Sequence, residues 1–224
     1  MKDKISFCIN NRRVEAYNNE TIWDVSKREG IEIPHLCHSN KNGYKPDGNC
    51  RACVVDVQGE KTLTASCIRK PTEGMKVLTT TPKVENSQKL ILELLLSDQP
   101  KIKDKNFQRN HFWNILHKKK INNSRFLPKN KDYVPNIDQS HPAMTVSLDA
   151  CIQCGLCIRA CRDVQVNDVL GMSGRGADSY PVFDMNNPMG ESSCVGCGEC
   201  VQACPTDALI ETSLLDKNND QTIF

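Results

Sequence analysis

The chain has 224 residues, a formal net charge of +2, 38% hydrophobic residues and 5% aromatic residues. That length suits two small domains and a connector, and the low apolar content argues against one large hydrophobic core. The sequence contains no apolar run of about 18 residues, which excludes a transmembrane helix. Residues 1–9 look like a strand rather than a targeting segment. The 13 cysteines are the residues that most need an explanation.

The N-terminal region predicts a small domain of strands and one helix. Residues 4–9 and 12–17 read as two short strands around a turn at Asn10–Asn11. Thr21 is typical of a helix N-cap, and Gly30 ends the short helix that follows. Further strands are predicted after this helix, up to about residue 82.

A first set of four cysteines lies within this region. Its members are Cys37, Cys50, Cys53 and Cys67. The spacing is C-x12-C-x2-C-x13-C, and four thiolates around a central C-x2-C can supply two ligands to each iron of a [2Fe-2S] cluster. The plant-type signature, C-x4-C-x2-C, has a shorter first loop, and zinc held by two cysteine pairs is the alternative. Together with the strands and the helix, this set predicts a β-grasp domain of the plant-type ferredoxin kind over residues 1–82. Cys8 lies outside the set and reads as a small structural hydrophobe.

Residues 83–140 are predicted to be an amphipathic helix followed by a basic connector. In the helix, between residues 84 and 100, the predicted apolar positions are Leu90, Ile91, Leu94 and Leu95, which we expect to pack on the β-grasp domain. Residues 98–134 hold ten Lys or Arg against three Asp or Glu, so we expect a solvated or partner-facing segment that buries little apolar surface. Part of it could be helical around 109–119. Nucleic acid is not a favoured partner, because the segment has no recognised motif and no repeated aromatic stacking platform.

Eight further cysteines form two copies of the spacing C-x2-C-x2-C-x3-C. The copies are Cys151, Cys154, Cys157 and Cys161, and then Cys194, Cys197, Cys200 and Cys204. This run wraps a cubane [4Fe-4S] cluster with three thiolates, while the fourth thiolate ligates the other cluster of a pair. The predicted ligand sets are therefore crossed: Cys151, Cys154, Cys157 and Cys204 for the first cluster, and Cys161, Cys194, Cys197 and Cys200 for the second. Zinc fits less well, because a third cysteine two residues on has no role in a tetrahedral site. A disulfide framework is typical of short secreted chains.

The doubled motif predicts a bacterial-type two-[4Fe-4S] ferredoxin domain over residues 141–212, followed by a tail over 213–224. The insert between the two copies, 162–193, predicts a hairpin with a glycine-rich tip. A phosphate-binding loop is the alternative for that tip, but the Gly-Lys-Ser/Thr that it requires is absent from the insert. The fold class predicted for the whole chain is α+β. Thiolates that ligate iron imply a reducing compartment, which predicts a cytoplasmic protein.

The order of these modules resembles the N-terminal electron-transfer region of the alpha subunit of NAD-dependent formate dehydrogenase. The stretches that carry the resemblance are IPHLC, GNCRACVVDV, TASC, LELLLSDQP, CIQCGLCIRACRDVQ and ESSCVGCGECVQACPTDAL. The same region is related to the large iron–sulfur subunit of respiratory NADH dehydrogenase and to the diaphorase small subunit of bidirectional hydrogenases. The resemblance covers residues 1–97 and about 141–212.

This resemblance implies one [2Fe-2S] cluster and two [4Fe-4S] clusters that relay single electrons. It implies a molybdopterin catalytic subunit and a flavin or NAD subunit as partners. Two departures limit it. The related proteins carry an extra cluster on H-x3-C-x2-C-x5-C after the helix, whereas residues 98–150 contain no cysteine. They also continue into a molybdopterin domain, so we expect chemistry at carbon to belong to a partner.

Two other functions stay open at this point. An electron-transfer subunit of an NADH dehydrogenase-type or hydrogenase-type complex would use the same three clusters. An iron–sulfur redox sensor would act through assembly and loss of a cluster, but it needs an output domain that the sequence does not show.

Overall fold

The computed structural model describes three stretches of the chain. They are residues 4–100, 110–128 and 137–214. The chain divides into two compact units, each with its own buried core. The first unit comprises residues 1–40 and 46–93, and the second comprises residues 41–45 and 94–224.

The first unit is built on a mixed five-stranded sheet. Its strands are β1 (Lys4–Ile9), β2 (Arg12–Tyr17), β3 (Val54–Val57), β4 (Thr64–Ala65) and β5 (Lys76–Leu78). Their order across the sheet is β2-β1-β5-β3-β4, and β1 runs antiparallel to β2 but parallel to β5. Phe7 and Val14 are paired across β1 and β2, and both are buried in the core. Successive strand residues face opposite sides, so one face of this hairpin covers the core.

The predicted hairpin turn forms at Asn10–Asn11. These two residues have φ values of +50° and +67°. Positive φ at both central positions is what a type I′ turn requires, and asparagine tolerates it better than most residues. The Asn10 amide also donates to Thr79 Oγ1 at 2.7 Å and accepts from the Thr79 N–H at 2.9 Å. The turn is therefore tied to the chain beyond β5.

Helix α1 (Ile22–Arg28) begins where Thr21 predicted it. Thr21 Oγ1 accepts from the Asp24 N–H at 3.2 Å, and the Asp24 carboxylate accepts from the Thr21 N–H at 2.9 Å. This reciprocal pair is a complete capping box, which satisfies two backbone donors at the helix start. Trp23 is buried in the core of the unit, and Gly30 turns the chain away from the helix with φ of +74°.

Helix α2 (Pro82–Ser97) forms as predicted, but the sequence prediction chose the wrong face. Leu90 and Leu94 are 39% and 49% exposed. Within the first three turns of α2, the fully buried residues are Val84, Gln88 and Leu92. Gln88 Nε2 donates to the carbonyl of Val54 at 3.0 Å, so this polar side chain packs against the sheet because it satisfies a buried backbone acceptor.

Part of the basic connector is folded onto the second unit, contrary to the expectation of a solvated segment. Helix α3 (His111–Lys118) is capped by Asn110, whose Oδ1 accepts from the Trp113 N–H at 3.2 Å. Its buried positions are Phe112, Ile115 and Leu116, at the spacing of one helical face. The Phe112 N–H donates to the carbonyl of Pro205 at 2.9 Å.

The apolar face of α3 was not predicted from the sequence, because the connector around it is rich in lysine. Lys118 at the end of the helix and the two lysines after it, Lys119 and Lys120, are exposed, while the apolar side chains on the opposite face are buried. The remaining predictions for the connector, at residues 101–109 and 129–136, lie outside the described residues.

The rest of the second unit consists of short elements. They are β6 (Met144–Val146), α4 (Leu156–Arg159), β7 (Leu170–Ser173), β8 (Tyr180–Phe183), α5 (Glu199–Ala203) and β9 (Leu209–Glu211). β6 pairs antiparallel with β9, and β7 with β8 forms the hairpin that the insert predicted. Among the described residues, no helix combines the length and apolar character needed to cross a membrane.

The two copies of the cysteine motif end differently. Helix α4 runs directly into a π-helical turn, Ala160–Val164, whereas α5 ends at Ala203 and Cys204 after it is extended. Pro205 cannot continue a helix, while Arg162, at the matching position of the first copy, imposes no stop. Single π turns of this kind are frequent at functional sites.

Candidate metal centres

The four cysteines of the first set come together beside the sheet. Cys37, Cys53 and Cys67 are buried and Cys50 is partly buried. The Cys50 N–H donates to Cys37 Sγ at 3.4 Å. Buried thiols are ordinary in cores, but here thiol contacts link Cys37 to Cys50 and to Cys67, and Cys53 to Cys67. Four linked thiols supply the soft donors that iron–sulfur clusters require.

Strand pairing places two of these thiols. Cys53 directly precedes β3, and Cys67 follows two residues after β4, with Val54 opposite Ala65 in the antiparallel ladder. Ser66 fastens the junction, because its hydroxyl donates to the Cys53 carbonyl at 2.7 Å and its N–H to the same carbonyl at 3.2 Å.

The thiols of the first set strongly perturb one another. Hydrogen bonding with Cys37 raises the pKa of Cys50, and burial adds to the rise. The pKa of Cys67 is raised by its contacts with Cys37 and Cys53 and by burial. The pKa of Cys53 is lowered, chiefly because Cys67 donates a hydrogen bond to it. Burial and the neighbouring sulfurs thus disfavour the ionised forms of Cys50 and Cys67, and bound iron would supply the positive charge that stabilises thiolates.

The doubled motif builds two similar loops in the second unit. In the first, Gln153 and Gly155 have φ values of +55° and +71°; in the second, Gly196 and Gly198 have +70° and +73°. These left-handed turns point backbone N–H groups at sulfur. The N–H of Gln153 donates to Cys151 Sγ, and the N–H of Gly196 donates to Cys194 Sγ, each at 3.4 Å.

Gln153 occupies a conformation that favours glycine, and its side chain explains how it is held there. Its amide nitrogen donates to the carbonyl of Ser179 at 2.7 Å and to that of Ala177 at 3.1 Å. The tip of the β7–β8 hairpin is thus tied to the first cysteine loop.

The second unit encloses two small cavities lined by cysteines. The first cavity is bordered by Cys151, Cys154, Cys157 and Cys204, along with residues from β7, β8 and β9. The second is bordered by Cys161, Cys194, Cys197 and Cys200, with Phe183 and Leu170 beside them. Each cavity thus draws three thiols from one copy of the motif and the fourth from the other copy. The crossed sets of the sequence prediction are the sets that line the cavities.

Burial and neighbouring sulfurs raise the pKa of one thiol in each set. Burial raises the pKa of Cys200 to about 12, and Cys194, Cys197 and Cys161 add to the rise. Burial also raises the pKa of Cys157, with contributions from Cys154, Cys204 and Cys151. Among the described residues, no three His, Cys, Asp or Glu side chains are arranged to hold one metal ion. A cubane requires a wider arrangement, because each thiolate binds a different iron.

Some residues near the cysteines were not predicted from the sequence. The N–H of Val169 donates to Cys161 Sγ at 3.4 Å, and Asn167 Nδ2 donates to Cys197 Sγ at 3.9 Å. Tyr44, from the segment 41–45, donates its hydroxyl to Glu199 at 2.9 Å. Burial and then this carboxylate raise the pKa of Tyr44. No spacing rule could indicate these partners, because they come from turns that only the folded chain brings near the cysteines.

A buried histidine beside the first set was also missed. His38 follows Cys37 by one residue, is 8% exposed, and packs edge-on against Trp23 with ring centroids 4.5 Å apart. Its Nε2 lies 3.8 Å from Asp24 Oδ1. Burial raises the pKa of Asp24, but contacts with His38 and Thr21 outweigh it and bring the pKa to about 2.

Two family models match the two halves of the chain. A 2Fe-2S iron–sulfur cluster binding domain matches residues 2–82, and a 4Fe-4S dicluster domain matches residues 138–208. The chain carries a [2Fe-2S] domain followed by a [4Fe-4S] dicluster domain. Its cofactors are one [2Fe-2S] cluster and two [4Fe-4S] clusters, as predicted from the cysteines. The donor sets described above fit these groups in ligand type, ligand number and cavity lining.

Curated relatives align with nearly the whole chain. "Probable oxidoreductase YjgC" of Bacillus subtilis (strain 168) is 30% identical over 217 residues, covering 96% of this chain and 21% of its own length. "Putative formate dehydrogenase YrhE" of the same organism is 32% identical over 216 residues, covering 94% and 22%. "NADP-reducing hydrogenase subunit HndD" of Solidesulfovibrio fructosivorans is 31% identical over 225 residues, covering 92% and 36%. The chain thus spans 21 to 36% of the length of these relatives.

A solved structure shares the fold. The chain from "Crystal structure of NAD+-reducing [NiFe]-hydrogenase in the H2-reduced state" aligns with a TM-score of 0.84 at 23% identity, covering 94% of this chain and 88% of that one. These comparisons confirm the predicted resemblance. The chain is an iron–sulfur electron-transfer module.

Proposed function

We propose that this module relays single electrons between a formate dehydrogenase-type catalytic subunit and a partner that reduces flavin or NAD. The proposal rests on one observation: twelve thiols lie in three separate sets of four. The similarity to "Putative formate dehydrogenase YrhE" over 94% of the chain supports formate as the electron source. When bound, each cluster supplies one-electron chemistry, and the protein supplies its ligands, its hydrogen bonds and its degree of burial.

The proposed ligand sets are the three sets of four cysteines. Cys37, Cys50, Cys53 and Cys67 hold the [2Fe-2S] cluster in a β-grasp domain. Cys151, Cys154, Cys157 and Cys204 hold the first [4Fe-4S] cluster of a ferredoxin-type domain, and Cys161, Cys194, Cys197 and Cys200 hold the second. Support comes from the N–H groups aimed at Cys37, Cys151, Cys161 and Cys194, since such donors stabilise cluster sulfurs.

Surface access gives the relay a place to exchange electrons with a partner. Cys197 is exposed, whereas the other eleven proposed ligands are buried or partly buried. Val195, in the same loop, is 66% exposed. We assign this edge of the second [4Fe-4S] cluster as the point where a partner's redox group approaches. The thiolate chemistry of all three sites also calls for a reducing compartment, which supports the cytoplasm.

A second candidate is a relay in an NADH dehydrogenase-type or hydrogenase-type complex. A specific observation favours it. An NADH-quinone oxidoreductase component of Rhizobium meliloti (strain 1021) is 29% identical over 178 residues, and HndD aligns with 92% of the chain. The same clusters would serve either complex, so the electron donor separates the two.

The test uses the native complex, isolated anaerobically through a tag on this chain. Formate, NADH and hydrogen are added separately, and cluster reduction is followed by EPR, with dithionite as the positive control. Reduction by formate supports the proposal. Reduction by NADH or hydrogen but not by formate transfers the assignment to the second candidate. If dithionite reduces the clusters but none of the three donors does, the relay proposal is wrong.

A further inference from the structure

Arg159 is a buried cation against the first cysteine loop of the dicluster domain. It ends α4, two residues after Cys157, and is 5% exposed. Its Nη2 donates to the carbonyl of Cys154 at 3.2 Å, and its Nε donates to the carbonyl of Gly155 at 3.3 Å. The guanidinium is thus fixed on the backbone of a loop that carries three proposed ligands.

A third hydrogen bond fixes the orientation of this side chain. Nη1 of Arg159 donates to the carbonyl of Lys45 at 2.8 Å. Five donors in a rigid plane allow one guanidinium to hold several carbonyls at once, which lysine cannot reproduce with one ammonium group. These bonds hold the charge against the backbone between Cys154 and Cys157, two cysteines of the first set.

The second copy of the motif lacks this charge. The internal repeat aligns CIRAC with CVQAC, so Gln202 takes the place of Arg159. Gln202 is exposed, and its amide donates to Glu211 at 3.3 Å. The two halves therefore share ligand spacing but differ in buried charge.

Reduction adds one negative charge to a cluster. A nearby cation stabilises that charge, and burial protects the attraction from dielectric and salt screening. Net charge, hydrogen bonds to the sulfurs and exposure are the protein's means of setting a cluster potential. We propose that Arg159 raises the reduction potential of the cluster held by Cys151, Cys154, Cys157 and Cys204, acting through the loop rather than as a ligand. This inference rests on the proposed ligand sets and not on the identity of the electron donor.

The experiment is an EPR-monitored redox titration of the full chain with dithionite and mediators. The signal of the first [4Fe-4S] cluster is assigned by its change in Cys151→Ser. We expect Arg159→Gln to lower the midpoint potential of that cluster by about 59 mV, which corresponds to a tenfold change in the equilibrium constant for its one-electron reduction. The other two clusters should keep their potentials. Arg159→Lys, which retains the charge, should restore most of the shift, and Gln202→Leu is the matched control that should change neither [4Fe-4S] potential.

Several results would overturn this role. Equal shifts in the glutamine and lysine variants would show that hydrogen bonding rather than charge is responsible. An unchanged potential in Arg159→Gln would show that Arg159 does not influence the first cluster. Equal shifts in all three clusters would show that its influence is not specific to the first cluster. If Arg159→Gln does not assemble the first cluster, Arg159→Met gives the same comparison with an apolar side chain. Loss of the cluster from both neutral variants would make Arg159 a structural requirement instead. Because dithionite replaces the natural donor, failure of the formate proposal would leave this test unaffected.

Discussion

At the scale of single residues, backbone N–H groups donate hydrogen bonds to cysteine sulfurs at these sites. Backbone donors point at the first cysteine of each set in sequence order, Cys37, Cys151 and Cys161, and at Cys194 as well, all at 3.4 Å. Hydrogen bonds to ligand sulfur stabilise the more negative state of a cluster. The cysteine spacing predicted which side chains meet. It did not predict these donors, because they depend on φ values that non-glycine residues such as Gln153 rarely adopt.

Cys161 provides the sharpest residue-scale prediction. It lies in the first copy of the motif but lines the cavity of the second set. We expect Cys161→Ser to destroy or convert the second [4Fe-4S] cluster while the first keeps its EPR signal, because the first retains all four of its thiolates. Mössbauer and EPR spectra of the purified variant provide the measurement. Cys8→Ser is the matched control, since Cys8 lies outside all three sets, and should leave every cluster intact. Selective loss of the first cluster in Cys161→Ser would mean uncrossed ligation.

Among the secondary-structure elements, local signals in the sequence succeeded where one residue type decides the conformation. The turn at Asn10–Asn11 and the cap at Thr21 formed as predicted, since both depend on nearby backbone geometry. The buried face of α2 was predicted wrongly, because Gln88 is buried through a tertiary hydrogen bond that counting apolar residues cannot find. The burial of α3 was missed because its apolar stripe lies in a lysine-rich segment.

The two units differ in how much regular structure they contain. The first has a five-stranded sheet and most of the 16-residue helix α2, whereas the second relies on helices of four and five residues around its cysteines. Isolated helices this short are not stable in water, and metal binding contributes folding energy to small domains.

Removal of iron should therefore affect the two units unequally. We expect chelation under oxidising conditions to abolish hydrogen-exchange protection in α4, α5 and the β6–β9 pair, while β1 and β2 stay protected. Mass-spectrometric hydrogen exchange on the holo and apo chains provides the measurement. The apo chain refilled with iron and sulfide is the control and should regain protection. Equal loss of protection in both units, or no loss in either, would contradict this dependence.

At the scale of the whole molecule, the chain is an iron–sulfur electron-transfer module that carries three clusters. The family models cover residues 2–82 and 138–208, and the relatives extend well beyond the aligned region. The cysteines were sufficient to predict this organisation, because their spacing is set by cluster geometry rather than by tertiary packing. The proteins that would exchange electrons with this module are recognised through its surface, which cysteine spacing does not encode.

The most direct test of the three-cluster organisation is the metal and sulfide content of the anaerobically purified chain, combined with Mössbauer spectroscopy. We expect about ten iron atoms and about ten acid-labile sulfides per chain, two of each from the [2Fe-2S] cluster and the remainder from two [4Fe-4S] clusters. The spectra should resolve [2Fe-2S] and [4Fe-4S] iron in a ratio of about one to four. Iron near eight atoms per chain with no [2Fe-2S] signal, or zinc in stoichiometric amount, would contradict this organisation.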